Sequence, residues 1–179
     1  YTRFLDLQKA ESQTREAQIE AALERVRSRT MGMHKSEELA ETVSILFKQL
    51  IGSGIELSKL RTCGIATFHE AEPSGDVFMS DVNGDIISDS FKFRYDEAPS
   101  YKAVYEAWKK GEELLVLHLT GKPLVEHFTY VRKYSGVTNF NLARIGSEIR
   151  EIYFHVLFFS KGYLFVVSYE PIVEHHVTL

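Results

Sequence analysis

The chain has 179 residues, 44% of them hydrophobic and 26% charged, which suits one soluble globular domain with an appendage. A net charge of −4 gives no electrostatic basis for nucleic-acid binding, and the single cysteine, Cys63, excludes an internal disulfide and a cysteine-rich zinc site while fitting a reducing compartment. No apolar run approaches the roughly 20 residues a membrane span needs, and no signal-peptide pattern is visible, so a cytoplasmic location is expected.

The first stretch reads as helix over residues 3–29, roughly 40 Å at the standard rise. Ile19, Leu23, Val26 and Met33 form an a/d-type seam, while Glu20, Glu24, Arg25, Arg27 and Arg29 cover the other faces. The seam weakens toward the N-terminus, where Lys9, Ser12 and Glu16 occupy it. Two readings stand: a solvated helix, or a parallel connector that pairs two copies through Ile19, Leu23 and Val26. The step Met31-Gly32-Met33 is expected to join this helix in line to a second one. Ser36 is a good N-cap there, with Glu37 and Glu38 in the first turn where the helix dipole favours negative charge. Leu39, Val43, Leu46, Phe47 and Leu50 make one apolar face, which should lie on a sheet. Gly52 and Gly54 end the helix.

Residues 60–69 follow as a first strand. Asn83-Gly84 then marks a hairpin between Asp76–Val82 and Asp85–Tyr95, polar enough to sit near a sheet edge. Pro99 opens a helix with Tyr101, Val104, Tyr105 and Trp108 inward. Glu113–Leu119 is a short strand, and Gly121–Lys133 a helix that buries Leu124, Phe128 and Val131. Residues 137–148 have no period and read as loop. Ile149–Phe159 and Tyr163–Tyr169 are almost continuously apolar, so they should be central strands covered on both faces. The chain after Pro171 reads as unfinished. The expected class is α+β: an antiparallel sheet with flanking helices, preceded by a long N-terminal helix.

The run IEAALERVRSRTMGMHKSEELAETVSILFKQL resembles the linker and first helix that precede GAF-like sensor domains in large bacterial signalling proteins of the Bacteroidetes type, sensor histidine kinases among them. The first twenty residues resemble the end of an exit helix from a preceding module, and IYFHVLFFSKGYLFVVSYEP resembles the last two strands of the family. The resemblance implies a connector over residues 1–35 and a GAF-like domain over 36–179, cut before its own exit helix. It implies a cytoplasmic, homodimeric, non-catalytic sensory or regulatory module. A degenerate module that only dimerises and transmits is the alternative. No cyclic-nucleotide signature is present, and Cys63 lies on the first strand rather than where bilins attach, so no cofactor carries over.

Three chemistries remain to weigh. His118, His127 and His155 are the candidate set for a zinc or iron enzyme, although no familiar close metal-binding spacing occurs. No nucleophile elbow or phosphate-binding glycine loop is present. An aromatic-rich region under the 137–148 crossover offers either a filled core or a small-molecule pocket. If a ligand binds there, Tyr101, Tyr130, Asn139 and Arg144 are the expected contacts, with the arginine taking a carboxylate or phosphate.

Overall fold

The stripe Leu39–Leu50 has one dry face, and the chain supplies a sheet to receive it. The computed structural model describes residues 2–30, 36–56, 59–81, 83–87, 90–135, 145, 147–172 and 177–178. The helices are α1 (Thr2–Thr30), α2 (Ser36–Gly52), α3 (Pro99–Lys109) and α4 (Gly121–Ser135). The strands are β1 (Leu60–Phe68), β2 (Ser74–Met79), β3 (Phe91–Arg94), β4 (Leu114–Thr120), β5 (Glu151–Phe159), β6 (Gly162–Ser168) and β7 (Val177–Thr178). They form one seven-stranded sheet in the order β3-β2-β1-β6-β5-β4-β7. Every pairing is antiparallel except that of β7, which lies parallel on the outer edge of β4. The class is α+β, as the alternation of elements implies. Among the described residues no helix is long and apolar enough to cross a membrane.

The almost unbroken apolar runs of β5 and β6 take central positions, paired from Tyr153↔Ser168 to Phe159↔Gly162. Alternate residues serve opposite faces. Phe154, Val156, Phe158, Tyr163, Phe165 and Val167 join one core with α3 and α4. Leu164, Val166 and Phe159 join a second core with α1 and α2. A continuous apolar strand is the signature of a sheet covered on both sides.

The hairpin turn falls at Asn83-Gly84. The Asp81 carboxylate accepts the Asn83 and Asp85 backbone N–H groups at 2.7 and 3.0 Å. Gly84 has φ +88°, and a Cβ there would meet the Phe47 ring at 2.4 Å, so the turn needs glycine twice over. Val77 pairs with Phe91 whereas Ser80 pairs with Ile86, so the return limb carries extra residues and is interrupted. The hairpin forms the sheet edge expected for it.

The first helix departs from the sequence expectation. α1 and α2 do not continue in line. Arg15 donates to the Gly54 carbonyl at 2.7 Å and Arg25 to the Gln49 side chain at 3.3 Å, so the two helices pass each other in opposite senses. Ile19, Ala22 and Val26 are buried within the single chain, in the core shared with α2, and Leu23 packs half-buried beside them. The seam expected between two copies is therefore covered by the chain's own next helix, a cheap solution when a short link joins two apolar helices. Residues 3–14 of α1 are exposed throughout, with Phe4, Leu5 and Leu7 each half or more accessible. Met33 lies outside the described residues.

Candidate functional site

The face of the sheet that carries α3 and α4 holds Tyr101 and Tyr130, two of the four residues expected to bind a ligand. Pro99 starts α3 because its fixed φ suits the first turn and its missing N–H costs nothing there. The helix stripe then turns Ser100, Tyr101, Val104 and Ala107 inward. From α4, His127, Phe128, Tyr130 and Val131 meet them.

Ser100 Oγ and His127 Nδ1 lie 2.9 Å apart, and the Tyr101 and His127 rings stack 2° from parallel at 5.4 Å. Burial, reinforced by the positive charge of Arg61, pushes the His127 imidazole down to about 3, so it is neutral at pH 7. Arg61 comes from β1, where its guanidinium sits 4.7 Å over the Phe128 ring and donates to the Tyr169 hydroxyl at 2.9 Å. Tyr101 is pushed well above its ordinary value by burial. The gap between these side chains is a cavity of about 30 Å³, lined by Arg61, Thr62, Tyr101, His127 and Phe165 among others. That space suits one or two water molecules.

Tyr130 has a structural task. Its hydroxyl receives the Arg94 N–H at 2.7 Å and donates to the Arg94 carbonyl, tying the edge strand β3 to α4. Next to it the aromatics fill space: Phe93 packs on Tyr130 and Tyr101, and Phe68, Tyr95 and Tyr163 contact one another, with the Tyr95 and Tyr163 hydroxyls 3.2 Å apart. Thus Tyr101 lines the small cavity, Tyr130 braces the sheet edge, and Asn139 and Arg144 lie outside the described residues.

The three histidines do not converge. His127 faces the α3/α4 core, while His155 lies on the opposite face of the sheet, with Nδ1 on the Val166 carbonyl (3.2 Å) and Nε2 accepting the Ile172 N–H (3.2 Å). His118, at the β4 edge, is 2.6 Å from a Glu151 oxygen and stacks on Tyr153 at 4.4 Å. Among the described residues no group of three histidine, cysteine or acidic side chains is placed to hold a metal. The reason is register: residues facing the same way on β4 and β5 share a face, but a helix can cover either one. His175 and His176 lie outside the described residues.

Cys63 is fully buried on β1, 3.7 Å from Ser80 Oγ, and burial pushes its thiol up to about 12. A thiol that resists ionisation is a poor nucleophile. Sequence reasoning missed Ser100 and Arg61. Neither belongs to a motif, and both owe their position to how α3, α4 and β1 pack.

The chain matches no family model, no curated protein and no solved structure.

Proposed function

We propose that this chain is a non-catalytic regulatory module of a signal-transduction protein, GAF-like in its sheet and flanking helices, that works through α1. The observation that carries this reading is the divided character of that helix. Its C-terminal half is built into the core through Ile19, Ala22 and Val26, whereas its N-terminal half stands clear with Phe4, Leu5 and Leu7 exposed. A helix anchored at one end moves with the surface it is anchored to. The free half is the natural place for a second copy to pair, through the exposed Phe4, Leu5 and Leu7. A cytoplasmic setting belongs to the same proposal, since the single cysteine is a buried free thiol.

Between sensing under the crossover and transmission alone, the described residues favour transmission. The cavity of about 30 Å³ beneath α3 and α4 has no room for an organic ligand. A catalytic role gains nothing from the buried thiol of Cys63 or from the dispersed histidines.

Sedimentation equilibrium tests the reading. The parent should dimerise at micromolar concentration, and a variant carrying Phe4→Ser, Leu5→Ser and Leu7→Ser should be monomeric there, its melting temperature matching the parent's only in solutions dilute enough for both to be monomeric. A parent that stays monomeric at high micromolar concentration would overturn pairing through α1.

A further inference from the structure

Where α1 meets the body of the protein, it closes one wall of a cleft of about 120 Å³. Arg15, Glu16 and Ile19 form that wall, and Ile55, Lys59 and Glu170 stand opposite. The volume is that of about four water molecules, enough for a small amino acid and too little for a nucleotide.

The walls divide by chemistry. Arg15 is half-buried, and its Nη2 is fixed on the Gly54 carbonyl just beyond the end of α2, where a cation is favoured. The guanidinium is planar, so fixing one nitrogen aims the rest of the fork. Among the described residues no other group pairs with it. Glu16, the next residue, is half-buried too and has no hydrogen bond or ion pair among the described residues. Lys59 does not neutralise it, because its ammonium is bound to Glu170 at 2.9 Å. Ile19 and Ile55, both buried, supply an apolar floor.

A simple anion entering this cleft would face two carboxylates, and a simple cation two positive groups. A zwitterion of matching size satisfies both. We propose that the cleft binds a small neutral α-amino acid, its carboxylate on the Arg15 fork, its ammonium on Glu16 and its short side chain against Ile19 and Ile55. The site stands on the cleft alone; its consequence for signalling rests on the regulatory reading. A ligand held between α1 and the wall it docks on favours the docked arrangement by its differential affinity for it.

Titration calorimetry of the whole chain with L-alanine tests the site, with acetate and methylamine as carriers of one charge each. L-alanine should bind one to one. Glu16→Gln should weaken it at least tenfold without changing the melting temperature of the free protein. Arg15→Gln should weaken it as much, and because that substitution also frees the Gly54 carbonyl, Glu16→Gln decides the case. Acetate and methylamine should bind at least tenfold more weakly. No binding of glycine, L-alanine or L-serine at about 10 mM, equal binding of acetate, or undiminished binding by Glu16→Gln would each overturn the assignment. Hydrogen exchange over residues 3–18, with and without L-alanine, separates the two ideas. Binding with unchanged exchange would refute the coupling to α1 and leave the site; a dimer that binds no amino acid would refute the site and leave the regulatory reading.

Discussion

Ser100 Oγ lies 2.9 Å from His127 Nδ1, joining the first turn of α3 to the middle of α4. The pair satisfies two buried polar groups in a core made mostly of aromatic rings, where an unpartnered one would cost about 1–3 kcal/mol. It also holds the imidazole where it cannot readily take a proton.

That neutrality makes stability depend on pH. His127 is pushed down from 6.5 to about 3, first by burial and then by Arg61. The unfolded chain takes up this proton below pH 6.5, and the folded chain does not until about pH 3. The stability this group contributes is therefore complete above the unfolded value and is lost as pH falls toward the folded one. Between pH 7 and 5 the loss should be about 2 kcal/mol. His127→Asn keeps a polar partner for Ser100 and removes the titration. Urea unfolding of parent and variant at both pH values should show that differential loss; parallel pH dependences would mean the folded protein protonates His127 readily.

A second relationship concerns Gly64 and Phe165, directly paired across β1 and β6. A Cβ on Gly64 would lie 2.5 Å from the Phe165 ring and 2.2 Å from the Phe78 carbonyl oxygen. Phe165→Ala should cost about 3–5 kcal/mol through the cavity it leaves, and Gly64→Ala about 1–3 kcal/mol through overpacking. Removing the ring relieves one of the two clashes and leaves the backbone one. The double variant should therefore cost less than the two singles combined in denaturant unfolding. Strict additivity would show that the ring does not cover Gly64.

These relationships indicate what the sequence could disclose. The Leu39–Leu50 stripe and the apolar runs of β5 and β6 were legible because period and continuity are local properties. The same logic could not say what covers Ile19 and Val26. A seam specifies an apolar partner, and a second chain and the next helix of the same chain satisfy it equally. Nor could it place His127. Strand parity puts His118 and His155 on one face, but only tertiary packing puts α4 on the other. The pairing of β7 with β4 rests on two residues, too few to carry a period. In the candidate site Tyr101 was legible as part of a helix stripe, whereas Ser100 and Arg61 depend on contacts between distant elements.

Cys63 offers a probe of global opening. Its thiol is fully buried and raised to about 12, and it faces Ser80 and the Val43 carbonyl under α2. Alkylation at pH 8 needs both exposure and ionisation, and the folded state offers neither. Labelling should require unfolding and rise with urea in step with the unfolded population. Rapid labelling in buffer alone would mean that α2 lifts from β1 without global unfolding.

The two halves of α1 should respond differently to substitution. Ile19 is 2% exposed and Leu7 is 58% exposed, though they lie on one continuous helix. Ile19→Ala removes side-chain carbons from a packed core and should cost about 2–5 kcal/mol. Leu7→Ala removes more accessible atoms and should change stability by less than about 0.5 kcal/mol at concentrations where the chain is monomeric. Hydrogen exchange should follow the same division. A helix of this composition has little stability without tertiary contacts, so amides over residues 5–14 should exchange by local fraying while those over 19–29 exchange close to the global rate. Self-association would add protection to the first segment only, in a concentration-dependent way. Equal sensitivity of the two positions in dilute solution would mean that the N-terminal half is also docked, and the picture of an anchored rod with a free end would have to be abandoned.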